Sequence, residues 1–404
     1  MRVFKKAVSV ITASALAMSM LAGCGSSGSA ASSGSEAAGS EAAGSEAASS
    51  EAVFKIGGIG PTTGGGAAYG TAVMNAIQLA VDEINEAGGV NGTKFECKFE
   101  DDELNAEKSV NAYNTLKDWG MQFLVGSVTS ACSIAVSEKT KEDNLFQLSP
   151  SGSADDCVKY ENVFRVCFSD SNQGLKSADY IADNKLGEKI GIIYDSSDVY
   201  SSGIYQKFAA EAQVKGLEIV SAEAFNADNK TDFSVQIQKA KDAGADLVFL
   251  PIYYTEAALI LKQASTMDYA PKFFGCDGLD GITAVENFDA SLAEGVMLLT
   301  PFAADATDDL TVNFVTKYKE AYTDTPNQFA ADAYDAVYAV KAAIEKEGIT
   351  ADMSVSDICE KMKTGMTEIS VEGLTGTITW DASGEPNKEP KGVIIENGSY
   401  VSMD

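Results

Sequence analysis

Histidine is absent from all 404 residues. With it goes the commonest general base near neutral pH, so Ser-His-Asp and Cys-His nucleophilic catalysis are excluded. A frequent metal ligand goes with it, and the seven cysteines show no C-x-x-C spacing that would serve as a zinc signature. No metal and no cofactor is expected. Basic residues are scarce as well: 30 Lys+Arg stand against 59 Asp+Glu, a formal net charge of −29. A nucleic-acid partner needs basic footprints for its phosphates, and this chain is not built to supply them. The acidic surplus favours solubility instead.

Long apolar runs are missing too, apart from one near the start. Arg2, Lys5 and Lys6 precede an uncharged stretch, residues 7–22, that is short for a bilayer span and reads as a signal peptide covering residues 1–23. It closes on Leu21-Ala22-Gly23-Cys24, which resembles the lipobox of bacterial lipoproteins, so Cys24 is expected to be the lipidated mature N-terminus. The alternative is an ordinary secreted protein with a chance cysteine at the cleavage site. Residues 25–52 contain only Gly, Ser, Ala and Glu, including GSEAAGSEAAGSEAASSEA, and cannot build a core that offsets chain entropy. Residues 24–52 are therefore expected to form a lipidated, flexible tether spanning on the order of 30 Å, holding a body at the outer face of a bacterial cytoplasmic membrane.

The body, residues 53–404, is too long for a single core. Short apolar strands alternate with amphipathic helices: strands at 53–60, 94–100, 122–126 and 145–148, helices from Val73 through Ile84, at 106–118 and at 130–142. A second set follows, with strands at 189–194, 218–222, 245–251 and 272–275 and helices at 202–214, 233–243 and 255–266. Such alternation implies βαβ units, parallel sheets and two α/β lobes. Ligands of such sheets bind beyond the carboxyl ends of the strands, so the loops after Gly126, Leu148, Tyr194, Pro251 and Gly275 are expected to face a site.

Those loops carry complementary chemistry. GSVTSACS places Ser130 near a helix N-cap, where free N–H groups and the helix dipole favour an anion. LSPSGSADD adds the hydroxyls of Ser151 and Ser153 and a close-approaching backbone N–H for the same anion. The second half offers Tyr200 in YDSSDVYSSG, Tyr253 and Tyr254 in LPIYYTE, and Asp277 in FFGCDGLDG, an acid and aromatic faces suited to an ammonium. Each has a plainer alternative: serines at helix starts as caps, Asp277 as an exposed Asp-Gly turn, the tyrosines as surface packing.

IGGIGPTTGGGAAYG, AIQLAVDEINEAGGVNG, FEDDE, LVGSVTS, QLSPSGS and GTITWDASGEP, together with the loops above, closely resemble the Leu/Ile/Val-binding branch of the type I periplasmic binding proteins of ABC transporters. That resemblance implies an α/β fold of two doubly wound lobes joined by a three-strand hinge, the cleft between them. It implies a first lobe of residues 53–169 plus 302–378 and a second of 170–301 plus 379–404. It further implies a monomeric solute-binding lipoprotein that closes on an amino acid, foremost leucine, isoleucine or valine, and delivers it to an ABC permease without turnover. By motif position, Ser130, Ser151 and Ser153 would hold the carboxylate, Asp277 with Tyr200 and Tyr253 the ammonium; Tyr69 would stand at the pocket mouth and Phe329 would line the side-chain pocket. Asp277 departs from the glutamate common in the family, and Ser151 and Ser153 from an alanine and a threonine. Glu103 and Leu104 stand after Asp101-Asp102 where some relatives have a cysteine, so that family disulfide does not carry over. The six cysteines after Cys24 are open to bridges or to buried free thiols. Four other readings compete: a sensor ectodomain, a structural or adhesive role, a binding protein for another small amino acid, an aromatic amino acid, an amide or urea, and a serine hydrolase. The last needs a serine-lysine pair, and the site loops contain no lysine.

Overall fold

The computed structural model of the protein describes residues 52–403; the signal peptide, Cys24 and the tether lie outside the described residues. Two sheets organise the body. The first has the order β2-β1-β3-β4-β5, all parallel, from β1 (Phe54–Gly60), β2 (Phe95–Asp101), β3 (Phe123–Gly126), β4 (Phe146–Ser149) and β5 (Val163–Arg165). Period-two alternation assigns its faces. Phe54, Ile56, Phe123 and Val125 point to one side, where α1 (Ala67–Glu86) packs. Ile59 and Leu124 point to the other, against Tyr113 and Leu116 of α2 (Ala106–Trp119) and Val136 of α3 (Ser130–Asp143).

The chain then passes through α4 (Asp170–Asp183) into a second sheet, built from β6 (Lys189–Asp195), β7 (Glu218–Phe225), β8 (Leu247–Leu250), β9 (Lys272–Gly275) and β10 (Met297–Thr300). Ile190, Ile192, Leu247, Phe249 and Phe274 face α4 and α5 (Val199–Lys215). Val248 and Leu250 face the side of α6 (Ser234–Asp242) and α7 (Tyr254–Thr266). Three further helices, α8 (Asp309–Tyr322), α9 (Gln328–Glu347) and α10 (Val355–Met366), return to the first lobe, α9 lying along α1 and contacting α10. A short hairpin of β11 (Val371–Gly373) and β12 (Gly376–Ile378) follows. The chain then ends in β13 (Lys391–Glu396) and β14 (Ser399–Ser402), which extend the second sheet antiparallel to give β14-β13-β10-β9-β8-β6-β7.

The fold is thus α/β with two doubly wound lobes, and the backbone passes between them three times: after β5, after β10 and after β12. The third passage is pinned by side chains. Trp380 Nε1 donates to the Arg165 carbonyl (2.7 Å), and Lys388 Nζ lies 2.7 Å from Asp332 Oδ1 in an almost fully buried ion pair. The six described cysteines are free thiols, all but Cys97 buried, so the small-apolar reading holds for them. Among the described residues no helix is long and apolar enough to cross a membrane.

Candidate functional site

One cleft between the lobes is lined by Tyr69, Val128, Thr129, Ser130, Ser151, Ser153, Tyr200, Tyr253, Asp277, Gly278 and Phe329. Eight of the nine side chains that the sequence offers therefore come together, from α1, from the loops after β3, β4, β8 and β9, and from the starts of α3, α5 and α9; Tyr254 does not line the cleft, and its hydroxyl accepts the Ala68 N–H (3.2 Å) instead.

On the first-lobe side the serine loops interlock. Ser130 is the first residue of α3 rather than its cap; Thr129 takes the cap position, and the Ser130 hydroxyl accepts the N–H groups of Ser153 (3.2 Å) and Ala154 (3.0 Å). The backbone N–H expected to reach an anion from the Ser151–Ser153 loop is engaged internally: Gly152 N donates to Ser149 Oγ (2.8 Å). Gly152 is there because a Cβ would stand 2.7 Å from Ser149 Oγ and 2.9 Å from Ser133 Cβ. Ser151 Oγ donates to the Val128 carbonyl (2.7 Å), which ties the two loops together. Arg165, fully buried, braces the loop from behind: its guanidinium donates to the carbonyls of Ser153 (2.5 Å) and Ala154 (3.0 Å) while pairing with Glu385. What remains for a ligand is the proton of the Ser130 hydroxyl, whose oxygen serves only as acceptor, the Ser153 hydroxyl, buried without a partner, and the N-terminal end of α3, where unsatisfied N–H groups and the helix dipole favour negative charge.

The second-lobe side is acidic. Asp277 Oδ1 accepts from Tyr200 Oη (2.7 Å) and Oδ2 from Gln173 Nε2 (3.0 Å), while Gln173 Oε1 accepts the Asp277 backbone N–H (3.2 Å). Burial pushes the Asp277 carboxyl up to about 7, against the lowering effect of those two donors. The Tyr200 hydroxyl also accepts Gly278 N–H (2.9 Å), and a Cβ on Gly278 would stand 2.5 Å from that oxygen. Tyr200 therefore orients the acid through its hydroxyl and stacks its ring on Tyr253 at 5.0 Å.

Asp170 and Gln173, both on α4, were not singled out by sequence. Asp170 is 2% exposed and neither carboxylate oxygen has a hydrogen-bond partner. Burial raises its pKa well above the ordinary carboxylate range, the nearby Asp277 charge adding to the rise and the Arg165 guanidinium opposing it. Its backbone N–H donates to the Ser153 carbonyl (2.8 Å), which sets it directly behind the serine loop. Between the polar ends lies an aromatic wall: the Tyr69 ring is 4.5 Å from Phe329 and 5.7 Å from Tyr253. Tyr69 Oη donates to the Gly278 carbonyl (2.5 Å) and accepts Tyr254 N–H (3.2 Å), so the first lobe touches the second directly and the cleft is closed. Among the described residues no group of acids and cysteines is arranged to hold a metal ion.

A family model described as periplasmic binding protein matches residues 53–390. The chain belongs to the periplasmic binding protein family. Its relatives put it in the Leu/Ile/Val-binding branch. It is 30% identical over 336 residues to Leu/Ile/Val-binding protein homolog 3 of Brucella melitensis, covering 83% of this chain and 89% of the relative. It is 29% identical over 335 residues to the leucine-, isoleucine-, valine-, threonine- and alanine-binding protein of Pseudomonas aeruginosa, covering 82% and 86%. Among solved structures, the branched-chain amino acid transporter substrate binding protein LivJ of Streptococcus pneumoniae, in complex with isoleucine, superposes with a TM-score of 0.79 at 28% identity, covering 87% of this chain and 98% of that one. As a member of the periplasmic binding protein family the chain is extracytoplasmic, and its family is one of solute-binding proteins of transporters. The fold alone does not name a cargo: a solute binding protein of R. palustris, in complex with benzoate, shares it at a TM-score of 0.77 with 20% identity.

Proposed function

We propose that the protein is an extracytoplasmic solute-binding lipoprotein that captures a single amino acid, foremost leucine, isoleucine or valine, by closing its lobes, and presents it without turnover to an ABC importer. The observation that carries this reading is the polarity of the cleft. A partnerless serine hydroxyl and a helix N-terminus stand on one side, the buried Asp277 carboxyl with no paired cation on the other, and an aromatic wall between them. Such a cleft fits a zwitterion with an apolar side chain: carboxylate to Ser153 and the start of α3, ammonium to Asp277, side chain against Tyr69, Tyr253 and Phe329. Ser130 and Ser151 hold the shape of the carboxylate side, and Tyr200 aims the acid.

The lobes on this reading comprise residues 53–169 plus 302–378 and 170–301 plus 379–404, and closure about the three passages is what a permease recognises. Cys24 supplies the lipid anchor, and the body acts as a monomer. Relatives binding branched-chain amino acids at about 30% identity support the cargo. The test is calorimetric titration of the body after unfolding and refolding to strip carried-over ligand, against the twenty amino acids, short amides and urea. Micromolar or tighter binding of leucine, isoleucine or valine, about −8 kcal/mol or better, is expected. Binding of another amino acid or an amide alone would overturn the cargo, and no binding at all would overturn the transport role. Incorporation of labelled fatty acid into the full chain, lost in Cys24→Ser, tests the anchor.

A further inference from the structure

Outside the ligand contacts, the closed cleft is bridged at the start of α9. Asp280 lies in the second lobe, three residues after the ligand-facing Asp277, and is 5% exposed. Its Oδ2 accepts the backbone N–H of Gln328, the first residue of α9 in the other lobe, at 2.9 Å, while Oδ1 has no partner. The Gln328 side chain, 1% exposed, reaches back the other way and donates from Nε2 to the Asp277 carbonyl at 3.0 Å. Neither residue lines the cleft.

Asn327 caps α9 by accepting Ala330 N–H (3.1 Å), which leaves Gln328 N–H as a donor with no partner inside its own helix. A carboxylate at the start of a 20-residue helix also meets the favourable end of its dipole. Tyr400 of β14 flanks the acid and fixes its loop by accepting Gly281 N–H (3.0 Å). Both bonds between Gln328 and the Asp277–Asp280 loop join one lobe to the other, so both break when the lobes part.

We propose that Asp280 and Gln328 form a latch: positioning residues that hold the cleft shut through the loop bearing the ligand's acid, and that sustain a closed population before any cargo arrives. The latch sets how long cargo stays, because dissociation requires it to open, while association to the open form does not involve it. This rests on the closure reading above, but not on the identity of the cargo.

The test uses the full chain with spin labels introduced by V214C on α5 and V312C on α8, both exposed positions, one on each lobe. The inter-label distance is measured without ligand, and leucine is the probe for kinetics. Asp280→Ala removes the acceptor, and Gln328→Pro removes the N–H at a first helical position that tolerates proline. Each is expected to cut the ligand-free closed share about tenfold and to speed leucine dissociation about tenfold, with association unchanged. Asp280→Asn keeps an acceptor oxygen and Gln328→Ala keeps the N–H, so both are expected to retain most of the closed share. Thermal unfolding of all four variants checks that the lobes still fold; a residue with a merely structural role would shift melting without changing the distances.

The latch is overturned if Asp280→Ala and Gln328→Pro fold and keep the wild-type distances and dissociation rate, or if the ligand-free wild type has no closed population. A wild type that closes but does not bind leucine overturns the cargo alone and leaves the latch standing.

Discussion

Replacing Asp277 by asparagine changes one oxygen for one NH2 group, and the surroundings make that change legible. The carboxylate accepts on both oxygens, from Tyr200 Oη and from Gln173 Nε2. Gln173 cannot turn its amide round, because its own oxygen accepts the Asp277 backbone N–H. One orientation of the asparagine therefore sets two NH2 groups face to face, and the other strips Tyr200 of its acceptor; a buried donor left unmade costs about 1–3 kcal/mol. Against this, the variant no longer buries a carboxyl whose pKa burial has pushed up to about 7. These two terms oppose each other in the ligand-free protein, so its unfolding free energy at pH 8 moves little. Binding has no such compensation. Losing the charged partner of a desolvated ammonium costs about 2–5 kcal/mol, roughly 30-fold to several thousand-fold in Kd. Calorimetric titration with leucine at pH 8, beside urea unfolding of the same preparation, reads both quantities. An affinity within about threefold of wild type would refute the assignment of Asp277 to the ammonium.

Three further outcomes follow from the same geometry. Burial raises the carboxyls of Asp277, to about 7, and of Asp170, well above its usual range. The ligand-free fold thus binds more protons than the unfolded chain above the ordinary carboxylate pKa, and its stability falls as pH rises through about 4 to 7. An ammonium favours the ionised Asp277 carboxyl, so leucine affinity instead falls as pH drops from 8 to 5.5; titration in buffers of different ionisation enthalpy should show protons released on binding, and a flat profile would contradict it. Ser153→Ala deletes a hydroxyl with no partner in the ligand-free cleft, so melting should hold or rise while leucine affinity drops about tenfold. Lys388→Met leaves Asp332 buried and unpaired, a loss of about 3–5 kcal/mol in denaturant unfolding.

Much of this molecule can be read from its chain because the relevant signals are local. Short apolar strands ending in Gly/Ser turns mark β1, β3, β4, β6 and β9, one ending at Pro251 marks β8, and the strand-end rule then points to Ser130, Ser151, Ser153, Tyr253 and Asp277 as neighbours. What escapes such reading depends on partners far along the sequence. Gln173 matters only because Asp277 lies 104 residues away, and Gln328 only because Asp280 lies 48 residues before it. Asp170 sits in a first helical turn, where an acid needs no special explanation; its significance comes from burial without a partner. Ser130 reads as a cap from its neighbours, whereas the cap position falls to Thr129 and the hydroxyl of Ser130 serves the next loop. The tail strands β13 and β14 run antiparallel to their neighbours, against the parallel pattern of the preceding βαβ units.

Lys388 belongs to both lobes at once. Its ammonium is held in the first, by Asp332 and by Thr375 Oγ1 at 2.5 Å, while its carbonyl accepts Asn172 Nδ2 of α4 in the second at 3.3 Å. A residue gripped from both sides would serve as a pintle, with the two lobes turning about it instead of sliding past one another. Only Glu389 and Pro390 separate it from β13, and proline fixes one torsion of that short link. Very few bonds are then left to twist on this passage, so opening should follow a single arc that returns the serine loops and Asp277 to the same separation at each closure.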